Sequence, residues 1–383
     1  ALRAALLVPV GVLALRAPRD LWRFVVRSPV GLLVAFAAVT VLWSEHPRET
    51  VLGVGALVLE TLAAIAVFGV AGSRGGRYLA ATLTILLTVC VAVAVLDPAV
   101  GQMLDTRGQP WRGIFVHKNS LGTIAAFSFV IFCGLERLKW KTAWIGFALW
   151  CLWMSQSAGA LVAALVGGAV MVAARIVYVR LDQVRLRPVT VFYALLVVGG
   201  YAMWSLFGSI TQFLDREATL TGRTEVWATA LEYGSTHRWF GTGISAQIYP
   251  GSALANSIAA LRNQPLGTTH SGYLALYLGA GLFGLAVLVL ALIFCLQRVE
   301  SARRDGVATA AIALGLGLTF CYLALNLVED RLLTRSGWFF LMFGMLQLVD
   351  AQIRRAPPPG GTEQGRPHAA EPSPVRAMAD GVA

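Results

Sequence analysis

Residues 51–72 read VLGVGALVLETLAAIAVFGVAG, and Glu60 is the one charged side chain among them. A run of this length and apolarity is what a helix needs to cross a bilayer. Working outward, further apolar runs stand at roughly 2–15, 29–43, 78–96, 119–135, 142–154, 158–179, 189–208, 270–296, 306–328 and 338–353. Across 383 residues, 57% are hydrophobic and 13% charged, and the mean hydropathy is +0.68. Soluble domains carry about 25% charged residues, so the bilayer is the solvent. The fold class expected is all-α: a polytopic transmembrane helical bundle of about eleven or twelve spans.

The net charge of +11 does not point to nucleic acid. The basic residues form six short groups beside apolar runs: Arg16 to Arg27, Arg74 with Arg77, Arg137 to Lys141, Arg180 to Arg187, Arg298 to Arg304, and Arg354 with Arg355. Counting spans puts all six groups on one face, which the positive-inside rule makes cytoplasmic. The C-terminus is then inside. Eleven spans would leave Ala1 outside, so a twelfth span, lost or misread near the N-terminus, is expected. Cys90, Cys133, Cys151, Cys295 and Cys321 lie in apolar runs without a CxxC pair, which argues against disulfides and metal ligation. No cofactor is expected.

The organisation expected is a transmembrane domain over 1–355 that includes a large outer loop with short helices over 209–269. A disordered cytoplasmic tail rich in Pro, Gly and small polar residues follows over 356–383. No internal repeat is visible, and inverted repeats are common in secondary transporters.

Candidate chemistry gathers in the outer loops. In the long loop, Arg223, Trp227 and Leu231 recur at i, i+4 and i+8 from a helix opening near Thr221. An Arg near a helix N-terminus makes a seat for phosphate; the alternative is a surface helix with a solvated Arg. Trp239-Phe240-Gly241-Thr242-Gly243 follows, an apolar pair with a Gly-x-Gly turn that reads as a return to the interface. His270 and Ser271 stand at the lip of a span, where an imidazole suits proton transfer or caps the helix. Arg112, His117, Lys118 and Asn119 lie in the shorter outer loop, and Asn326, Glu329, Asp330 and Arg331 in the last outer turn. Glu60, in mid-span, costs roughly 2.5–3.5 kcal/mol if ionised and alone. It serves a structural hydrogen bond or lines a polar path.

Together these elements resemble the O-antigen ligase/polymerase family of lipopolysaccharide O-antigen ligases and exopolysaccharide polymerases. His270-Ser271, nine residues, Gly281, two residues and Gly284 follow the family's His-[Asn/Ser/Gln]-x9-Gly-x-x-Gly pattern. Thr221-Gly222-Arg223 through Trp227 to Gly241-x-Gly243, the Gly113-x-x-x-His117-Lys118-Asn119 segment, and Asn326 with Glu329 resemble further family motifs. The resemblance covers roughly residues 50–350.

The resemblance implies a GT-C-like membrane glycosyltransferase of the bacterial inner membrane, working on the periplasmic face. The reaction is an inverting, metal-independent transfer of a glycan from undecaprenyl pyrophosphate to an acceptor hydroxyl. The acceptor is a glycan, a lipid A core or a protein. Arg223 would engage the pyrophosphate and His270 would act as base or position the acceptor. Arg112, His117, Lys118, Asn119, Trp227, Ser271, Asn326, Glu329 and Arg331 would bind substrate. One departure stands out. Family members often carry Ser-x-Ser-Arg where this chain has Ser155-Gln156-Ser157-Ala158, so a second phosphate-binding Arg is absent there, with Arg112, Lys118 or Arg331 as replacements. Its absence favours polymerase over ligase. A transporter or flippase of an anionic lipid-linked solute, using Glu60, and a non-catalytic scaffold are the other readings.

Overall fold

A computed structural model describes residues 2–104, 108–180, 217–246, 249, 251–262, 268–330, 332–333 and 337–354, apart from the side chains of 2–5, 73, 178–180, 217–224 and 261–262. The described chain is helical throughout, with one isolated bridge between Gln102 and Trp111. The helices in chain order are α1 (Leu2–Ala14), α2 (Arg19–Arg27), α3 (Pro29–Val39), α4 (Pro47–Ala71), α5 (Gly75–Leu96), α6 (Pro98–Gly101) and α7 (Lys118–Gly134). After them come α8 (Lys141–Met154), α9 (Ala158–Arg180), α10 (Glu217–Thr236), α11 (Ala253–Arg262), α12 (Gly272–Arg304), α13 (Thr309–Leu325) and α14 (Gly337–Ile353).

Local chemistry sets many of these boundaries. Ser28 caps α3 by accepting the N–H of Gly31, and Pro29 occupies its first position. That break bends α2 away from α3 by 62°. Pro47 opens α4 and Pro98, behind the Asp97 cap, opens α6. Ser271 caps α12 through the N–H of Leu274.

Large apolar side chains face outward from the helices, among them Ile85, Val89, Leu165, Val172, Val289 and Leu290. Water would penalise such a surface, and lipid does not. Inside, Phe127 stacks on Phe340 at 4.2 Å between ring centres, and Phe68 on Phe343 at 5.5 Å. Helix α9 packs along α13, and α4 along α1 and α14.

The expectation of about eleven or twelve spans takes in residues beyond those described. Among the described residues four helices are long and apolar enough to cross a membrane, α4, α5, α9 and α12, or five if the bent pair α2–α3 counts as one. The expected span at 189–208, like the tail over 356–383, lies outside the described residues. Helices α7, α13 and α14 are apolar but have 17 residues each, about 25 Å at 1.5 Å per residue.

Their shortness has a common cause. Helix α14 begins against the middle of α4: Glu60 accepts the N–H of Phe339 at 3.1 Å, and Trp338 donates to Thr61 Oγ1 at 2.8 Å. Glu60 lies about 20 Å along α4 from Pro47 at the helical rise. The Glu60 carboxylate therefore serves a free N–H of the first turn of α14, where a negative charge is favoured. The structural reading of Glu60 holds. Backbone without helical hydrogen bonds is tolerated at such depth only inside protein or beside a polar cavity, and Asn326, Glu329, Leu332 and Leu333 around it are all buried.

Candidate active site

The start of α7, the end of α13 and the start of α12 meet at one end of the bundle. Asn119, in the first turn of α7, donates its Nδ2 to Glu329 Oε1 at 2.5 Å. The Gly272 N–H is shared between the carbonyls of Asn326 (2.9 Å) and Glu329 (3.0 Å). Nothing larger than glycine fits there: a Cβ on Gly272 would stand 2.1 Å from Asn326 Oδ1. Asn326 is fully buried and its Nδ2 donates to the Tyr322 carbonyl at 2.8 Å, while Tyr273 Oη donates to the Leu323 carbonyl at 2.9 Å. The open carbonyls of the last turn of α13 are thus used. Tyr322 Oη in turn donates to the Leu332 carbonyl.

His270 precedes the Ser271 cap with φ +54°, in the left-handed region that few side chains adopt without support. The support comes from both flanks. Thr269 Oγ1 donates to the Ser271 carbonyl at 2.8 Å, and Trp227 Nε1 donates to the Thr269 carbonyl at 2.9 Å. Capping falls to Ser271, which frees His270 from that role. Trp227 tethers α10 beside His270. Arg223 lies one turn before Trp227 on α10, on the same helical face; its side chain is outside the described residues, as is Arg331. Helix α10 is already formed at Glu217, so Arg223 stands in its second turn. This corrects the expectation of a helix opening at Thr221 with Arg223 at its N-terminal end.

Other expected ligands have structural bonds. Arg112 donates Nε to the Val100 carbonyl at 2.7 Å and an Nη to the Ala99 carbonyl at 3.2 Å, closing the short helix α6. His117 is the N-cap of α7, its Nδ1 accepting the N–H of Asn119 at 3.2 Å. Lys118 contributes its backbone N–H to Met103 Sδ at 3.3 Å.

The turn that lacks the family Arg lies against this same site. A Cβ on Gly159, next to Ala158, would meet Val328 Cγ2 at 2.5 Å, and one on Gly122 would meet Ser157 Cβ at 2.6 Å. Ala158 is therefore next to a residue that touches the Asn326–Glu329 turn.

The Trp239–Gly243 stretch does more than return to the interface. It enters a break in α12 at Gly281, where φ is +66° and ψ −165°. In an unbroken helix Leu282 would donate to Leu278 and Phe283 to Gly279. Here Leu282 donates to Arg238 (2.8 Å) and Phe283 to Trp239 (3.1 Å), while the carbonyls of Leu278 and Gly279 accept from Thr242 (2.9 Å) and Gly243 (3.0 Å). Two rungs of the helix are exchanged for four bonds to the strap, so no backbone group is lost. A Cβ on Gly281 would stand 2.2 Å from Trp239 C and O. Elsewhere on this face, Tyr233 donates to the Glu45 carboxylate at 2.5 Å, linking α10 to the α3–α4 turn. Burial, and then the Glu45 carboxylate, push the Tyr233 phenol well up.

Sequence reading did not find the Asn119–Glu329 pair, the Thr269 bridge or the rung exchange. Each joins residues far apart in the chain, and only the glycines signalled close backbone approach.

The family model described as O-antigen ligase matches residues 142–289, a region that contains α8, α9, α10, the strap, His270 and the break at Gly281. The exopolysaccharide production protein ExoQ of Rhizobium meliloti (strain 1021) is 26% identical over 354 residues, covering 84% of this chain and 77% of that protein. Both matches support the O-antigen ligase/polymerase family. Among the described residues the chain is thus a helical, multi-pass membrane protein similar to the O-antigen ligases, and the matching family model and relative indicate ligase/polymerase-type glycosyl transfer.

Proposed function

We propose that this chain belongs to the O-antigen ligase/polymerase family and moves a glycan from undecaprenyl pyrophosphate to an acceptor hydroxyl, at the end of the bundle that carries His270. One observation carries the reading: hydrogen bonds from Trp227 to Thr269, from Gly272 to Asn326 and Glu329, and from Asn119 to Glu329 tie four separate stretches of chain together around His270-Ser271. In the step proposed, His270 takes the proton of the acceptor hydroxyl as its oxygen bonds to the sugar anomeric carbon. The bond from that carbon to the phosphate oxygen breaks on the opposite face, inverting the centre. Undecaprenyl pyrophosphate leaves with its charge held by Arg223, whose planar fork pairs phosphate oxygens. The transfer proposed needs no metal. Glu329, held by Asn119, orients the acceptor, and Arg112, Lys118 and Arg331 are proposed to bind the anionic donor.

The working face is proposed to be periplasmic in a bacterial inner membrane, with the C-terminus cytoplasmic, following the basic clusters. Polymerisation is preferred to ligation, on the missing Arg at Ala158 and on the relative named for exopolysaccharide production. Transport is less well supported, because its pathway residue Glu60 is spent on α14.

The deciding experiment reconstitutes the full chain in lipid with an undecaprenyl-pyrophosphate oligosaccharide and follows products by mass spectrometry. Longer glycans on the carrier are expected, and His270→Ala and Arg223→Ala are expected to abolish them at unchanged protein levels. Transfer only to an added lipid A core or protein would make the protein a ligase. Movement of the donor across the bilayer without covalent change would overturn the reading.

A further inference from the structure

The opposite end of the bundle carries a second polar site. Helix α12 starts at Gly272, beside His270, and after 33 residues ends at Arg304. Near that far end a cavity of about 630 Å³ opens between α2, α12 and α14. Its charged lining is Asp20, Arg23, Arg27, Arg298 and Asp305, and its apolar lining is Phe24, Phe294, Val349 and Ile353.

The charges are not balanced within it. Arg23 pairs with Asp20 at 2.9 Å, and Asp305 takes a hydrogen bond from Gln352 at 2.8 Å. Arg27 and Arg298 have no carboxylate partner among the described residues. Arg298 instead lies over two rings, 5.6 Å from the centre of Phe24 and 5.3 Å from that of Phe294. Such stacking fixes the plane of the guanidinium and leaves its N–H edge for an anion.

Helix α2 supplies the second argument. Leu21, Phe24 and Val25 are buried while Arg19, Asp20, Arg23 and Arg27 are exposed, and the helix is bent 62° from α3. An amphipathic helix turned away from an apolar one fits the plane of the interface. A site with two free arginines above an apolar floor, at that level, matches a phosphate diester joined to acyl chains.

We propose that this cavity holds the headgroup of an anionic phospholipid, with Arg27 and Arg298 on the phosphate and the chains over Phe24, Phe294 and Ile353. It is separate from the site of transfer and independent of the function proposed for it. The site ties α2 to the ends of α12 and α14.

Native mass spectrometry of the full chain in neutral detergent tests this, with equimolar phosphatidylglycerol and phosphatidylcholine. The wild type is expected to retain phosphatidylglycerol, and Arg27→Gln/Arg298→Gln to lose about tenfold or more of that preference. Arg19→Gln/Arg304→Gln, at exposed basic residues outside the cavity, is expected to keep it. Should the double variant not purify, Arg27→Gln alone, at an exposed position, carries the same comparison. No preference in the wild type, or an equal loss in both double variants, overturns the site. Retention of added glycerol 3-phosphate with exclusion of the lipid also overturns it, in favour of a soluble phosphate.

Discussion

Single residues at the active site act through what they touch. Asn119 donates a hydrogen bond to the buried Glu329 carboxylate. Asn119→Ala leaves that carboxylate short of a hydrogen bond, which costs about 1–3 kcal/mol. The expected outcome is a lower unfolding midpoint together with loss of glycan product. Asn119→Asp, which puts two carboxylates together, is expected to be worse on both measures. Activity retained by both variants would remove the pair from the site. The order of short motifs, His270-Ser271 then Gly281 and Gly284, with Asn326 and Glu329 after them, picked these residues out as candidates. Their partners were not legible. His117 and Arg112 also hold backbone, His117 as the cap of α7 and Arg112 on the carbonyls of α6, and no sequence pattern showed those bonds.

Helices and the strap carry the next level. Gly281→Ala is expected to expel the Trp239–Gly243 strap, since its Cβ would overlap Trp239 and its positive φ alone costs about 1–2 kcal/mol for a side chain. Gly55→Ala on α4, where nothing lies within 4 Å, is the control and is expected to be neutral or slightly stabilising. Amide hydrogen exchange checks both: in Gly281→Ala the N–H groups of Thr242 and Gly243 should lose protection, and in Gly55→Ala none should. Periodicity located the run at 270–296 and could not show the break, because a helix interrupted by another segment keeps its apolar composition on both sides. Runs at 119–135, 306–328 and 338–353 fold as α7, α13 and α14, whose polar ends the apolar pattern did not reveal.

Across the whole molecule, contacts sort into two ends. Trp111 with Met154, Asn119 with Glu329, Tyr233 with Glu45 and the strap lie at one; Arg354 beside Gly72, Arg175 on the carbonyls of Cys133 and Gly134, and Gln352 on Asp305 lie at the other. The basic clusters among the described residues sit at the second end, as span counting from sequence requires. A thiol at exposed His237 is therefore expected to react with an impermeant maleimide from the face opposite to one at exposed Lys139. Labelling of both from one face would break the topology. The rung exchange also sets an order of assembly. The strap residues Arg238 to Gly243 precede Leu282 and Phe283 in the chain and are synthesised first. The ribosome thus delivers the four bonding groups of the strap before the helix that must open around them. The second half of α12 then finds its partners waiting, rather than having to unzip a helix already buried in lipid.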